Sequence, residues 1–509
     1  MGYKLKDLQK LVQAMSGAEK RHFSLLSSAF AASKNDPLYL QLFQTLCSSK
    51  TDISEISEKE GIGSYTPVKK RLFENVRKSL RMFHQEQSME IRIHNYLSDI
   101  EILCDLNLPD QSLYLLRKAY NDAIAYEKFR LLLSVLEWER KLNIVLDQPT
   151  RSIKAIAEEE QEVLQKLMQI VHLENIYGKA KDMKRQHGFI RQELKEATLK
   201  AMEVISLEDC ASQRAKFYFN FIHTLYHRIT FNHLEAYQYS KALLQLKTQA
   251  ILPNDYIDGV LEHVTECIQI CRFREGLDSL ELASRYIHEQ KLDHLPTFGT
   301  KIFYYKNGYH LVIYNYMGDK ERLAAAIKTA EEELKLHEES MSLEARQVSY
   351  ANLMNAYVGI GNMQAADAIW KQLFHKKSKE VRREIYDELY LFRLFSLLES
   401  KVYEVLPYVA LSTHRYYIQQ PNAKSYLSTE LKIADLLLKE YDFEDPRIKK
   451  SVLMNVKQIL MHHISTLKGT PEFFQERYSF YVIWAERILT ERPYYETAAE
   501  WYGSLKIEG

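Results

Sequence analysis

The sequence contains little glycine and little proline. Its 509 residues include 16 Gly and 11 Pro, whereas average usage would give about 36 and about 25 at this length. Because these two residues supply most tight-turn geometry, their scarcity argues against many short strands and against long disordered linkers. Collagen-like and low-complexity classes are excluded as well. We therefore predict a helix-rich protein with few and short connections.

Cysteine is also scarce. The five cysteines, Cys47, Cys104, Cys210, Cys267 and Cys271, are too few and odd in number for a disulfide scaffold. Cys267 and Cys271 are four residues apart on a helical pattern, and we interpret them as small buried hydrophobic side chains. A metal pair would need further ligands that the sequence does not indicate. We predict neither a metal site nor a cofactor.

Long apolar runs are missing too. No stretch approaches the roughly 18 apolar residues that a membrane span requires. Charged residues interrupt the amphipathic segment 1–15, so it lacks the continuous apolar core of a signal peptide. Lys6 stands where a myristoylation signal has Ser or Thr. The 68 basic and 68 acidic side chains give a formal net charge of zero. We expect a cytoplasmic protein that does not bind membranes.

Apolar residues recur at helical spacing nearly throughout the chain, as in 68–83. One segment gives the opposite signal. In 302–314 the pair Asn307-Gly308 stands between aromatic and β-branched residues, which taken alone is typical of a β-hairpin. Both flanks continue in helical patterns, and no other predicted strand is available to pair with it, so we predict a helix there. The predicted fold class is all-α.

Predicted turns divide the chain into units of similar length. One turn is predicted over Gly178 to Gly188. The last five, about 39 to 43 residues apart, lie near Arg274–Gly276, Gly318–Asp319, Gly361–Asn362, Ser400–Lys401 and Asp442–Pro446. Two helices of about 18 residues with short loops fill one interval, and neighbouring hairpins must stack because none can bury both its apolar faces alone. We predict a curved solenoid of helical hairpins over 89–509.

One unit carries a recognisable motif. A large residue, Leu, Tyr, a turn Gly, a small Ala and an aromatic follow at fixed offsets, as Tyr350, Leu353, Tyr357, Gly361, Ala366 and Trp370. This spacing resembles the tetratricopeptide repeat. The small Ala366 would let the second helix approach the first closely, while the aromatic rings fill the gap between helices. The resemblance implies a tetratricopeptide-like α-α superhelix that binds a protein or peptide in its concave groove.

Three residues are candidates for partner binding. Asn355 falls where tetratricopeptide grooves that hold a peptide carboxylate or backbone often place an Asn, so the resemblance implies a contact there. Asn352 and Tyr314 are the other two candidates. The 34 tyrosines of the chain fit aromatic packing between helices, and Tyr-rich concave faces also bind peptides because a rigid ring loses little entropy on contact.

The N-terminal segment differs from the rest in charge. Residues 1–84 hold 14 basic and 8 acidic side chains, a net of +6, so the remaining chain carries −6. Loops divide the segment into three predicted helices, 4–30, 38–60 and 67–84. Opposite the apolar stripe of the last helix lies a basic face formed by Lys70, Arg77, Lys78 and Arg81. We predict that 1–88 is a helical module that caps the solenoid. The alternative is a helix-turn-helix-like module whose last helix contacts DNA.

Two patterns of histidine were considered for catalysis. His223 and His227 share one helical face, as in zinc metalloproteases, but Thr224 stands where the catalytic Glu would be. Arg228 and His233 fit the loose Arg-to-His spacing of all-helical ribonucleases of the HEPN class, a match that 17 histidines make frequent by chance. We predict no catalytic residue.

These observations favour a non-catalytic scaffold, a helical-repeat protein that binds a protein or peptide partner in its groove. The alternative function is a transcription regulator. In that case 1–88 would bind DNA, and the tetratricopeptide-like solenoid would sense a ligand or peptide. The identity of the partner does not follow from the sequence.

Overall fold

The computed structural model is all-helical. It describes residues 4–30, 38–47, 66–85, 88–146, 149–187, 206–230, 232–293, 295–338, 341–375, 383–420, 427–466 and 476–504. Over these residues there are 22 α-helices and no strand, which confirms the predicted all-α class. The helix predicted over 302–314 is also confirmed, because it lies within one helix, Pro296–Met317. Among the described helices, none is both long enough and apolar enough to cross a bilayer.

The chain divides into two compact units, Met1–Leu167 and Met168–Gly509. The predicted boundary at residue 88 therefore lies inside the first unit. The helices of this unit are α1 (Leu5–Ala14), α2 (Gly17–Phe30), α3 (Leu38–Cys47), α4 (Thr66–His84), α5 (Met89–Asp105), α6 (Pro109–Ala125) and α7 (Phe129–Val145). A long helix, α8 (Ile153–His187), begins in the first unit and ends in the second.

Helices α1 to α4 share one apolar core. Its buried side chains are Leu8, Val12, Met15, Phe23, Tyr39, Leu42, Phe43, Leu46, Val68, Leu72 and Val76. The helix predicted over 67–84 is confirmed as α4. For the helix predicted over 38–60, the described part is α3, and 48–60 lie outside the described residues.

The single helix predicted over 4–30 is wrong, because two helices occupy that range. The chain leaves α1 after Ala14 and enters α2 at Gly17. Ser16 and Glu19 form a reciprocal capping box: Ser16 N donates to Glu19 Oε2 at 2.6 Å, and Glu19 N donates to Ser16 Oγ at 3.3 Å. Such a box satisfies amide groups that the first turn of a helix leaves unpaired. The Ser-x-x-Glu spacing was the sequence signal for this start.

Two predicted turns are also wrong. Helix α8 continues through Gly178 to His187, while Gly188 lies outside the described residues. The turn predicted at Arg274–Gly276 lies earlier, where Cys271 adopts a left-handed φ of 59°. Gly276 itself is helical and buried, and a β-carbon there would lie 3.3 Å from Cys267 Cβ. Its small size therefore serves close approach of two helices rather than a turn.

The second unit continues with fourteen α-helices among the described residues, most of them in consecutive packed pairs. They are α9 (Gln213–Ile229), α10 (His233–Leu244), α11 (Pro253–Gln269), α12 (Phe273–Glu289), α13 (Pro296–Met317), α14 (Lys320–His337), α15 (Leu343–Gly359), α16 (Met363–His375), α17 (Arg383–Glu399), α18 (Leu406–Ile418), α19 (Ser428–Leu437), α20 (Pro446–Thr466), α21 (Glu476–Thr490) and α22 (Tyr494–Ser504). From α11 to α19 the pairs begin every 40 to 47 residues.

The last two helices pack on helices that are distant in sequence. In α21, Trp484 is fully buried against Phe392 and Phe395 of α17. Helix α22 packs on α13 and α15, and its Tyr502 ring lies 4.9 Å from that of Phe273. Helices α21 and α22 therefore pack against the middle of the second unit as well as against the helices that neighbour them in sequence.

Candidate functional site

The first helices of three successive pairs, α13, α15 and α17, lie side by side in the second unit. Asn352 on α15 is opposite Gly308 on α13, and its Nδ2 atom lies 3.2 Å from where a β-carbon of Gly308 would stand. The Asn352 side chain is half-buried and makes no hydrogen bond to the described residues. We call the surface formed by Gly308, Asn352 and Asn355 the asparagine face.

Asn355 connects the three helices of this face. Its Nδ2 donates to Glu388 Oε1 on α17 at 3.2 Å, and its backbone oxygen accepts from Asn315 Nδ2 on α13 at 3.2 Å. The Oδ1 atom of Asn355 is shielded from solvent and has no hydrogen-bond partner among the described residues. Asn355 therefore holds the helices in register, whereas Asn352 keeps its amide available.

Tyr314 does not join the two asparagines. Its ring stacks on His310 at a centroid distance of 5.3 Å, and burial raises the pKa of its hydroxyl. The next residue, Asn315, is the one that faces Asn355. Successive residues of a helix point about 100° apart, so Tyr314 points away from the asparagine face. The structure brings together two of the three predicted partner-binding residues.

The four basic residues predicted on α4 are all exposed. They lie opposite the buried side chains of Val68, Leu72 and Val76. Lys70 Nζ is 3.9 Å from Glu74 Oε1, and the Arg77 guanidinium lies over the Phe73 ring at 5.5 Å. Lys78 and Arg81 make no ion pair with the described residues. The basic face is thus solvated, as the helical spacing predicted.

Arg228 and His233 converge on one buried carboxylate. Arg228 pairs with Glu262 at 2.5 Å and with Glu266, whose other oxygen is 3.2 Å from His233 Nδ1. Burial acts to lower the pKa of Arg228, but the two carboxylates raise it above its ordinary value. The Arg228 guanidinium on α9 is therefore held by the carboxylates of Glu262 and Glu266 on α11, and it compensates their negative charges.

His223 and His227 lie in an aromatic stack with Tyr239. The Tyr239 ring centroid is 4.5 Å from that of His223 and 5.3 Å from that of His227. Neither ring nitrogen of His223 has a hydrogen-bond partner in the described part of the chain. Burial lowers the pKa of His223 to about 4, and the charge of His227 acts in the same direction.

This lowered pKa gives an expected pH dependence of stability. His223 binds a proton near pH 6.5 in the unfolded chain and near pH 4 in the folded chain. The contribution of neutral His223 to the free energy of unfolding is therefore fully present above pH 6.5 and is lost as the pH falls toward 4. Between pH 7 and pH 5 we expect a loss of about 1–2 kcal/mol from this group.

Urea unfolding at pH 7 and pH 5 measures the effect. His223→Phe keeps an aromatic ring in the stack and cannot be protonated, so its free energy of unfolding should fall less between the two pH values. His288→Phe is the control, because His288 is an exposed histidine. An equal fall with pH in wild type and His223→Phe would contradict the assignment.

Sequence reasoning missed a buried polar cluster between α11 and α12. His263 Nε2 lies 3.4 Å from Cys267 Sγ and 3.5 Å from Glu275 Oε1. His263 and Cys267 are fully buried, and burial raises the pKa of the Cys267 thiol. The four-residue spacing of His263 and Cys267 placed both on one helical face and was a usable signal. Glu275 comes from the next helix and had none.

No protein-family model matches the sequence, and no curated protein is significantly similar to it. Two residues of the 350–370 motif, Gly361 and Ala366, are placed as their types suggested. Gly361 has a left-handed φ of 81° between α15 and α16, and Ala366 is fully buried.

Proposed function

We propose that the second unit is a tetratricopeptide-like helical-repeat scaffold that binds an extended peptide segment of a partner protein without catalysing a reaction. The peptide lies on the asparagine face. The observation that supports this function is the amide of Asn352, which is half-buried on the first helix of its pair and makes no hydrogen bond to the described residues.

An asparagine amide suits a peptide backbone. It offers one acceptor oxygen and two donor hydrogens, so it pairs with the N–H and C=O of one residue at the same time. Gly308 has no side chain, so the Asn352 amide lies close to α13, with its Nδ2 atom 3.2 Å from where a β-carbon of Gly308 would stand. Helices that are already packed lose little conformational freedom on binding, which favours affinity.

A peptide library tests this proposal. Phage-displayed random peptides selected on the full chain should yield a sequence consensus, and a synthetic consensus peptide then measures Kd. Asn352→Ala removes the two backbone hydrogen bonds, and Gly308→Arg places a long charged side chain against the Asn352 amide. Each loss is expected to cost about 1–3 kcal/mol, which raises Kd about fivefold to 150-fold.

Gly178→Arg is the matched control, since Gly178 is an exposed helical glycine of the same unit with no atom within 4 Å of its β-carbon position. It should leave Kd unchanged. Circular dichroism must show that all three variants keep their helix content. A consensus peptide that binds Asn352→Ala and Gly308→Arg as tightly as wild type contradicts the proposal.

A second candidate function is favoured by the basic face of α4. Lys70, Arg77, Lys78 and Arg81 are exposed on one helix of a segment with net charge +6. Phosphate contacts release counterions, so affinity for duplex DNA would fall steeply with salt. If α4 binds DNA, replacing all four residues by Ala lowers the salt slope by about 3 to 4.

Fluorescence anisotropy of a labelled duplex at several salt concentrations measures this slope. The control is a variant in which three other lysines of the same charged segment are changed to Ala together. They are Lys6 and Lys10 on α1 and Lys20 on α2. The absence of binding at low salt excludes the regulator function and leaves the cap as the role of this segment.

A further inference from the structure

The cluster of His263, Cys267 and Glu275 has the composition of a metal site. All three ligand atoms lie within 4.8 Å of one another. His263 and Cys267 are one turn apart on α11, and Glu275 is in the first turn of α12. Cys267 and Cys271, which are four residues apart in the sequence, do not form the site together, because Cys271 is not part of this group.

Two of the three separations are close to the edges of a zinc tetrahedron. With bond lengths near 2.05 Å to nitrogen, 2.3 Å to sulfur and 2.1 Å to oxygen, tetrahedral angles put N and S about 3.6 Å apart and N and O about 3.4 Å apart. The observed distances from His263 Nε2 are 3.4 Å to Cys267 Sγ and 3.5 Å to Glu275 Oε1. Both separations from Nε2 therefore suit one ion, and Cys267 Sγ and Glu275 Oε1 lie within 4.8 Å of each other.

The tautomer of His263 is the one that metal binding needs. Ser240 Oγ donates its only hydrogen to the backbone oxygen of Tyr237 at 2.9 Å. Its lone pairs are then the partner of His263 Nδ1, 3.0 Å away, so Nδ1 carries the proton. The Nε2 lone pair points at Cys267 and Glu275. A hydrogen bond on the far nitrogen is what orients a metal-binding histidine.

Glu275 already pairs with two cations. Its Oε1 is 3.0 Å from Lys241 Nζ and accepts from Tyr237 Oη at 2.9 Å, while its Oε2 accepts from Tyr237 Oη at 2.8 Å and lies 3.5 Å from Arg272 Nη1. The Lys241 side chain is 43% exposed, so it can turn into solvent when an ion takes its place. Oε2 keeps Tyr237, which then orients the carboxylate. Glu275 is partly exposed and provides the route from solvent.

We propose that His263 Nε2, Cys267 Sγ and Glu275 Oε1 bind one Zn²⁺ ion, with water in the fourth position. The mixed N, S and O donor set suits zinc, whereas Mg²⁺ and Ca²⁺ prefer oxygen alone. Binding releases the thiol proton to solvent, and the thiolate and carboxylate then balance the two charges of the ion. The ion joins α11 to α12.

Cobalt titration tests the site. Protein freed of metal with a chelator is titrated with Co²⁺, which reports a four-coordinate site through strong visible bands and a thiolate ligand through a near-ultraviolet charge-transfer band. We expect one Co²⁺ per chain and its displacement by Zn²⁺. Glu275→Gln should weaken Zn²⁺ binding at least about tenfold, and Ser240→Ala about 10–100-fold.

Cys267→Ser should abolish the charge-transfer band, whereas the control Cys271→Ser should keep it, since Cys271 is equally buried in the turn that follows the same helix. Should Cys267→Ser fail to fold, Glu275→Gln decides, because Glu275 is partly exposed. The proposal is overturned by wild type without four-coordinate cobalt bands, by a band that Cys271→Ser removes, or by unchanged Zn²⁺ affinity in Glu275→Gln.

Discussion

Replacement of Arg228 by alanine is expected to lower the free energy of unfolding by about 3–5 kcal/mol, since one partner of a buried ion cluster is removed. Arg228 is 8% exposed, and Glu266 has no exposed surface. Without the guanidinium, the buried Glu266 carboxylate loses its arginine partner and keeps the hydrogen bond with His233 Nδ1 at 3.2 Å. Urea unfolding followed by circular dichroism measures the loss.

Arg322→Ala is the control for this prediction. Arg322 also pairs with a carboxylate, that of Asp319 at 3.6 Å, but its side chain is 63% exposed. Surface pairs contribute about 0–1 kcal/mol, so this variant should remain close to wild type. Adding Glu266→Gln to Arg228→Ala removes the uncompensated charge and should restore part of the stability. Equal losses in Arg228→Ala and Arg322→Ala would contradict the account of the cluster.

Gly318→Ala is expected to destabilise the second unit by about 2–5 kcal/mol. Gly318 has a left-handed φ of 68°, which costs a residue with a β-carbon about 1–2 kcal/mol. A β-carbon there would also lie 2.1 Å from the backbone oxygen of Tyr495 and 2.7 Å from the backbone nitrogen of Ala499. Because these are backbone atoms, α22 itself must move. Such overpacking costs a further amount of about 1–3 kcal/mol.

Gly361→Ala separates the two contributions. Gly361 also has a left-handed φ, 81°, but nothing lies within 4 Å of its β-carbon position. It should lose only the backbone cost of about 1–2 kcal/mol. Limited proteolysis adds a local readout, since displaced α22 should be cleaved faster in Gly318→Ala than in Gly361→Ala. Identical stability and cleavage in both variants would show that α22 does not pack against Gly318.

Local features of the fold were predictable from the sequence. The helical period of 302–314 outweighed its Asn-Gly pair because a hairpin needs a partner strand. The turns at Gly318 and Gly361 could be predicted from residue type, because glycine tolerates a left-handed conformation. Both glycines adopt that conformation. The basic face of α4 followed from the spacing of its apolar stripe.

Features that depend on tertiary contacts were not predictable. The turn at Cys271 uses a non-glycine residue in a left-handed conformation, which residue type does not signal. Gly276 has the residue type of a turn, but its small size serves the contact of α11 with α12.

The candidate site shows the same division between local and tertiary information. The helical period placed Asn352 and Asn355 near each other, but the contact of Asn355 with Glu388 joins residues 33 positions apart. Glu275 joined His263 only because α12 packs on α11. Spacing along one helix can therefore be read from a sequence, whereas the partner that a second helix supplies cannot.

Photo-crosslinking locates the peptide that we propose to bind on the asparagine face. The consensus peptide carries a diazirine in place of one side chain, and mass spectrometry identifies the labelled residues of the full chain. We expect label on α13 and α15 around Gly308 and Asn352, with competition by unlabelled peptide. Label that unlabelled peptide removes by competition, but that is found only on other helices, would contradict this proposal.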